Sequence, residues 1–402
     1  MNFRQALVVL MVSLELVVYH QVFSFRVGRQ TRLGKYTRPK DPIVSSSHDL
    51  STAPIQPIFL TLNVVVGASC YGYHGDDTQH YVMEMMNVAA SLWHSQSMSV
   101  KVKLLVGRFN VMKENEDNLE ATDNANVLLR KFCEWQQQST DVVNHLDVSI
   151  LITRRDIHIG GNYDATGIAY NKGACDSRYH CALCEDKSPM VLSHTIAHEL
   201  GHILGIRHDG DRNECPDRVF IMSGYATEGH RTFVWSQCSR QAVRQFLSSN
   251  RASCLKNQSS SFQGFPGHMP LALDINATPG RIYDSDYQCK MLYGPLATTC
   301  SDWNIQMMCR KLKCFVRERG SSCLTDGRPA LQGTRCGPLM WCSRGFCVPW
   351  LPQQTNGQEE SKTGPSKPDT PMHSRCSELE CTTFPYMDTQ APTTQLHNRQ
   401  TL

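Results

Sequence analysis

Positions 198 to 208 read His198-Glu199-Leu200-Gly201-His202-Ile203-Leu204-Gly205-Ile206-Arg207-His208, and Met222 follows fourteen residues later. Residues four apart share one face of a helix, so His198 and His202 present two imidazoles to one ion. Gly205 can take the positive-φ conformation that ends a helix and turns the chain back, which brings in His208 as a third ligand. Three histidines with a fourth position open to water are typical of a catalytic zinc site.

The complete pattern is H-E-x-x-H-x-x-G-x-x-H with a later methionine, which is that of the metzincin zinc endopeptidases. Glu199 lies beside the ligand pair and within reach of a water on the metal, so it is the candidate general base. His194 gives a second pair with His198 at the same spacing. That pair has no adjoining glutamate and no downstream glycine and histidine, so we interpret His194 as a neighbour within the helix.

Composition points to an oxidising compartment. The chain has 402 residues, a formal net charge of +3 and 19% charged residues, which does not favour a nucleic-acid partner. It has 18 cysteines, eight of which lie between Cys289 and Cys347, and this number and clustering favour disulfides. Zinc knuckles are the competing interpretation, but a C-x-x-C spacing occurs once, at Cys181-Ala-Leu-Cys184.

The amino-terminal region predicts secretion. Residues 1–25 contain an apolar run from Ala6 to Val18 and are interpreted as a signal peptide, with a signal anchor as the alternative. No other segment is apolar enough to span a membrane, so we expect no span in the mature chain. Residues 26–54 form a short basic propeptide or linker, in which Arg29-Gln-Thr-Arg32 is either a processing site or a solvated stretch.

Hydrophobic periodicity predicts an α/β domain at residues 55–257. Strands are expected at 58–66, 101–111, 148–153 and 166–171, and helices at 78–94, 121–137 and 192–204. Ser239 is expected to cap a final helix. A linker is predicted at 258–280 and a small disulfide-built module with eight cysteines at 281–349. Residues 350–402 have a composition typical of disorder.

The chain resembles the ADAMTS family, in the adamalysin or reprolysin branch of the metzincins. Asp209 directly after His208 marks that branch, and further matching stretches are Gly72-Tyr73-His74-Gly75, Phe132-Cys133-Glu134-Trp135-Gln136, Trp235-Ser236-Gln237-Cys238-Ser239-Arg240, Tyr283-Asp284-Ser285-Asp286-Tyr287-Gln288-Cys289 and Gly333-Thr334-Arg335-Cys336-Gly337. The resemblance covers residues 55–350. It implies an α/β metzincin domain, with a mixed twisted sheet and an active-site helix, followed by a disintegrin-like domain. Compared with the family, we expect a short form without the long propeptide and the thrombospondin repeats.

The resemblance also implies a disulfide pairing. The implied pairs are Cys133–Cys181, Cys175–Cys254, Cys215–Cys238, Cys289–Cys314, Cys300–Cys323, Cys309–Cys342 and Cys336–Cys347. Cys70 and Cys184 stand where the family usually has other residues, and we hypothesise that they pair with each other. Cys376 and Cys381 are expected to close a local loop.

Two further sites are predicted outside the zinc motif. The resemblance implies structural calcium at Asp147, Cys254 and Asn257, but Thr61 stands where the family has a first-strand acid, which leaves calcium open. Asn257 and Asn276 begin glycosylation sequons.

The sequence therefore predicts a secreted, extracellular zinc endopeptidase acting on extracellular, including matrix, proteins as a monomer. In this reading zinc activates a water, Glu199 accepts its proton, and substrate lies along an edge strand at Gly167, Ile168 and Ala169. Met222 forms an apolar floor under the histidines, and residues 223–227 contribute to the pocket wall. The alternative is a latent protein that uses the disintegrin-like module for adhesion, although the chain contains no Arg-Gly-Asp tripeptide.

Overall fold

The computed structural model describes residues 22–26, 57–138, 146–256, 270–300, 305–317, 320 and 322–349. Several predictions lie outside these ranges: the tail at 350–402 with its Cys376–Cys381 loop, Asn257, and most of the predicted signal peptide and of the basic segment at 26–54.

A mixed sheet forms the centre of the larger domain. Its described strands run in the order β1-β5-β6-β4-β2-β3-β7. Strands β3, β2, β4 and β6 are mutually parallel, whereas β5 is antiparallel to β6 and β7 is antiparallel to β3. The strands are β1 Val22–Arg26, β2 Ile58–Val66, β3 Val102–Val111, β4 Val148–Thr153, β5 Ala165–Tyr170, β6 Cys181–Glu185 and β7 Leu271–Ala272. The predicted α/β class with a mixed sheet is confirmed.

Helices cover both faces of this sheet. Successive side chains of a strand point to opposite faces. Ile150 and Ile152 of β4 therefore join the core beneath α2 and α4, whereas Leu151 joins the core beneath α3. The helices are α1 Ala68–His74, α2 Thr78–Trp93, α3 Ala125–Gln138, α4 Pro189–Ile203, α5 Gln237–Ser248 and α6 Ser285–Tyr293.

Helix α5 begins earlier than its sequence predicted. Its N-cap is Ser236, whose side chain accepts a hydrogen bond from the Ser239 amide. Ser239 lies inside the first turn and is not the cap. Among the described residues, no helix combines the length and the apolar character needed to cross a membrane.

The small carboxy-terminal part, which we call the cysteine-rich module (residues 279–349), contains α6 and two three-stranded sheets. Cysteines fill much of its core, together with a few apolar side chains such as Met308 and Leu312. Its strands are β8 Thr298–Thr299, β9 Cys314–Val316, β10 Ser322–Leu324, β11 Arg335–Gly337, β12 Met340–Ser343 and β13 Phe346–Pro349.

All seven disulfides that the resemblance implied are present, three in the larger domain and four in the module. They are Cys133–Cys181, Cys175–Cys254, Cys215–Cys238, Cys289–Cys314, Cys300–Cys323, Cys309–Cys342 and Cys336–Cys347.

The predicted Cys70–Cys184 disulfide is wrong. Both thiols are free and buried. Cys70 lies on α1 with its sulfur 3.7 Å from the Ile152 carbonyl oxygen, whereas Cys184 lies within β6. A thiol packs as a small apolar side chain, so both positions satisfy the core without a bond between them.

The predicted linker at 258–280 is partly built into the fold. Leu271 and Ala272 form β7, which extends the sheet beyond β3. Pro279–Arg281 form a helical turn, and the Gly280 amide donates to the Gln332 carbonyl of the module. The chain therefore runs along the larger domain before it enters the module.

Candidate metal centre and active site

Helix α4 carries the motif, and its two ends are defined by local sequence. Ser188 is the N-cap and accepts a hydrogen bond from the Val191 amide, with Pro189 in the first turn. At the other end, the Gly205 amide donates to the His202 carbonyl and the Ile206 amide donates to the Gly201 carbonyl. This is a Schellman motif, and it requires the left-handed conformation that Gly205 adopts at φ 89°. The predicted role of Gly205 is therefore seen directly in the backbone.

The turn at Gly205 brings three imidazoles together. The Nε2 atom of His208 lies 3.1 Å from Nε2 of His198 and 3.2 Å from Nε2 of His202. Nitrogen ligands held at the usual distance by a tetrahedral zinc ion lie about 3.3 Å apart. The spacing of the three nitrogens thus fits a zinc ion.

Hydrogen bonds to the backbone fix the tautomers of two of these histidines. The Nδ1 atom of His198 is 2.8 Å from the Ile221 carbonyl oxygen, and Nδ1 of His202 is 2.7 Å from the Ile206 carbonyl oxygen. A carbonyl oxygen only accepts, so each Nδ1 carries the proton and each Nε2 directs its lone pair at the centre. Lone pairs that converge in this way repel one another unless a cation lies between them, so the donor set suits a metal.

Burial supports the neutral state that metal ligation requires. Desolvation lowers the pKa of both His198 and His202 well below the ordinary value, and the charges of the neighbouring imidazoles lower it further. The two side chains are therefore neutral imidazoles at physiological pH.

Glu199 faces the space beside β5. Within the described ranges, neither of its carboxylate oxygens has a hydrogen-bond partner, and burial raises the pKa of this carboxyl well above its usual range. A Cβ atom added at Gly167 would lie 2.7 Å from Glu199 Oε1 and 2.5 Å from Cγ2 of Thr195. Only glycine at position 167 lets β5 run this close to α4. The sequence offered no signal for this contact, because the two residues are thirty-two positions apart.

Met222 is fully buried. A Cβ atom at Gly201 would lie 2.7 Å from its sulfur, so helix and methionine are in direct contact. The Met222 carbonyl accepts a hydrogen bond of 2.9 Å from the Asp209 amide. The Asp209 carboxylate in turn accepts a hydrogen bond of 2.6 Å from the Ser236 hydroxyl. Asp209, which marked the family, thus connects the third histidine to the methionine turn and to α5.

His194 has a structural partner outside the metal centre. Its Nε2 atom is 3.0 Å from the Thr232 carbonyl oxygen. Burial, followed by the charge of Arg328 from the cysteine-rich module, lowers its pKa to about 3. His194 is therefore a neutral helix neighbour, in line with its interpretation from sequence.

The predicted substrate edge carries a strand. Val22–Arg26 (β1) pairs antiparallel with β5, with Phe25 opposite Gly167, Ser24 opposite Ile168 and Phe23 opposite Ala169. An extended segment therefore fits the edge of β5 directly beside α4. The sequence did not predict this pairing, since these residues were interpreted as the end of a signal peptide.

Part of the predicted calcium ligand set lies together. Asp147 Oδ1 is 3.8 Å from the Cys254 sulfur, but Asp147 Oδ2 accepts hydrogen bonds from the Thr61 amide at 2.8 Å and the Thr61 hydroxyl at 2.6 Å. Calcium usually takes six to eight oxygen ligands. The described residues do not fit such a set by themselves, and calcium stays a prediction. So does glycosylation at Asn276, whose side chain is exposed.

Two stretches of the chain match models of known protein families. Residues 58–259 match the model of the "Reprolysin (M12B) family zinc metalloprotease", and residues 279–348 match "ADAMTS cysteine-rich domain 2". The second match overlaps the predicted module at 281–349.

Curated relatives share both parts. The chain is 34% identical over 295 residues to "A disintegrin and metalloproteinase with thrombospondin motifs 12" of Mus musculus, covering 71% of this chain and 18% of that protein. It is 33% identical to "A disintegrin and metalloproteinase with thrombospondin motifs 7" of Rattus norvegicus, covering 73% of this chain and 18% of that protein. It is also 33% identical to "A disintegrin and metalloproteinase with thrombospondin motifs 6" of Homo sapiens, covering 74% of this chain and 28% of that protein. The chain thus spans less than a third of the length of these relatives. The histidine centre, the methionine turn and these matches agree: the chain belongs to the reprolysin (M12B) family of zinc metalloproteases.

Proposed function

We propose that this chain is a secreted zinc-dependent endopeptidase that hydrolyses peptide bonds of extracellular proteins. The observation that carries the proposal is the geometry of α4 and its turn. The Nε2 atoms of three histidines converge, with His208 Nε2 within 3.2 Å of the other two, and the buried Glu199 carboxyl lies on the helix that carries His198 and His202.

His198, His202 and His208 would hold the ion. When bound, zinc lowers the pKa of a coordinated water and polarises the scissile carbonyl. The backbone carbonyls of Ile221 and Ile206 keep two of the imidazoles in the orientation and tautomer that ligation needs.

Glu199 is the proposed general base. It accepts a proton from the attacking water and delivers that proton to the leaving nitrogen of the peptide bond. The Glu199 side chain is buried, so the proton transfer takes place in a low-dielectric space between α4 and Gly167.

The proposed substrate lies in extended form along β5, at Gly167, Ile168 and Ala169. The antiparallel pairing of β1 with these residues supports this direction, because it is the pairing that a bound peptide would use. The absence of a side chain at Gly167 keeps the edge strand within reach of Glu199.

Secretion and an extracellular location are part of the proposal. Seven disulfides in the described residues support an oxidising compartment. The domain limits at 55–257 and 281–349 and the monomeric state are proposed with it.

The test is cleavage of a denatured protein mixture by the purified chain and by Glu199→Ala, each with and without a zinc chelator. We expect cuts by the untreated chain only, with zinc still bound to the variant by metal analysis. The residues that flank the cuts then define the specificity. Zinc binding without any cleavage by the wild-type chain would reject the endopeptidase and favour the latent adhesion protein.

A further inference from the structure

The loop that follows the methionine turn is bonded to the active-site helix. We call residues 223–233 the wall loop, because its first five residues were expected to contribute to the substrate pocket. The Thr232 carbonyl lies 3.0 Å from Nε2 of His194, one turn before His198 on α4. The hydroxyls of Thr227 and Thr232 are 2.9 Å apart, and both side chains are buried. The contact between Thr227 and Thr232 therefore couples the end of the expected pocket wall, at Thr227, to the residue that contacts α4.

The tip of the wall loop contacts the cysteine-rich module instead. The Gly229 amide donates a hydrogen bond of 2.8 Å to the Arg310 carbonyl. Next to it, the Lys311 ammonium forms an ion pair with the Glu228 carboxylate. Backbone and side-chain contacts thus join the same point of the loop to one segment of the module.

A second segment of the module packs against the next residue. Gly345 forms the turn between β12 and β13, and a Cβ atom there would lie 2.6 Å from the Cα atom of His230. The rings of His230 and Phe346 have centroids 5.3 Å apart. The turn therefore lies directly on the loop backbone, with no space for a side chain between them.

We propose that the cysteine-rich module positions the wall loop and thereby sets which substrate side chains the protease domain accepts. Gly345 and Lys311 are positioning residues: they fix Glu228–His230, and the Thr227–Thr232 bond transmits that position to the pocket wall. This inference rests on the proposed endopeptidase activity. Loops with few fixed contacts sample several conformations, so contacts at the tip restrict the shape of the pocket.

The first test compares Gly345→Ala with Gly294→Ala. Both glycines lie in the module with positive φ, 86° and 103°, but a Cβ atom at Gly294 meets nothing within 4 Å. Both substitutions place an alanine at a positive φ, and only Gly345→Ala brings a Cβ atom against the wall loop. We expect faster hydrogen exchange of the amides at 228–233 in Gly345→Ala alone. With a peptide library, we also expect Gly345→Ala to prefer different residues beside the scissile bond. Its KM should rise roughly 3- to 10-fold with little change in kcat, and the upper limit corresponds to about 1.4 kcal/mol.

A charge exchange gives an independent test that does not depend on how well Gly345→Ala folds. Lys311→Glu and Glu228→Lys each place like charges together, and the double variant restores an ion pair of opposite direction. We expect each single variant to speed exchange at 228–233 and to alter the cleavage preference, and the double variant to recover both. Equal behaviour of Gly345→Ala and Gly294→Ala, or no recovery in the double variant, overturns the inference. Hydrogen exchange reports on positioning even if the wild-type chain cleaves nothing, so failure of the inference and failure of the proposed activity are distinguishable.

Discussion

At the scale of single residues, one close contact of α4 joins Gly201 to the side chain of Met222. Gly201 and Met222 touch, and both are fully buried. We expect Gly201→Ala to destabilise the chain by about 1–3 kcal/mol, because an added methyl group overpacks a closed core. Thermal unfolding measures this change.

Gly72→Ala is the matched control for that substitution. Gly72 lies within α1, is exposed, and has open space where a Cβ atom would lie. Alanine there is expected to stabilise by roughly 0.4–1 kcal/mol, since it restricts the unfolded chain. If both variants were stabilised, the contact with Met222 would not be tight.

Glu185, at the end of β6, predicts a pH dependence of stability. Burial raises its pKa to about 8 from an ordinary 4.5, against the opposing effect of the Lys187 ammonium 3.4 Å away. The folded chain therefore keeps a proton that the unfolded chain has lost above the ordinary pKa, so this group's contribution to stability is lost as pH rises from 4.5 through about 8.

Glu185→Gln should remove this loss. We expect the urea midpoint of the variant to exceed that of the wild-type chain by an amount that grows between mildly acidic and mildly alkaline pH. Glu116→Gln, at an exposed position, should show no such growth. A difference that stays constant with pH would mean that the Glu185 carboxyl ionises normally in the folded chain.

At the scale of elements, the N-caps of α4 and α5 differ in one respect. Ser188 caps α4, whereas Ser236 caps α5 and also donates to the Asp209 carboxylate. Ser188→Ala should cost about 1 kcal/mol, the usual value of a cap. Ser236→Ala should cost roughly 1–3 kcal/mol more, because it leaves a buried acceptor without its donor. Chemical unfolding of both variants measures the difference, and equal losses would mean that the Asp209 contact contributes nothing.

At the scale of the whole molecule, a buried carboxylate links the protease domain to the cysteine-rich module. Asp186 accepts from Nε2 of His74 at 2.7 Å and from the Tyr81 hydroxyl at 2.7 Å. The other nitrogen of His74 is 3.2 Å from the hydroxyl of Tyr287, which lies on α6 of the module. One side chain thus organises contacts on both sides of this interface.

We expect Asp186→Asn to destabilise the chain by about 3–5 kcal/mol, because the Arg154 guanidinium, 3.3 Å from the buried Asp186 carboxylate, loses its partner charge. Hydrogen exchange of α6 should rise in this variant. Asp274→Asn, at an exposed position, is the control and should leave α6 unchanged. Protection of α6 at the wild-type level in Asp186→Asn would show that the module is held by other contacts.

The sequence alone predicted several of the elements and the candidate metal ligands. The periodic apolar pattern placed β2 and β4 at their observed limits, and the spacing of His198, His202, Gly205 and His208 predicted the cluster of three histidines that could hold a metal. These features depend on residues close together in the chain, where helix and turn geometry leave little choice. The pairing of the seven disulfides followed from the family resemblance, because the spacing of the cysteines alone does not determine which of them pair.

Only the tertiary structure decided what lies around that centre. The contact between Gly167 and Glu199, the free thiols of Cys70 and Cys184, and the module's turn against His230 all join residues distant in sequence. Such contacts depend on how sheet, helices and module pack, and neither periodicity nor spacing records them. The sequence therefore identified the residues that we propose as metal ligands, whereas packing decided which residues shape the space where a substrate would lie.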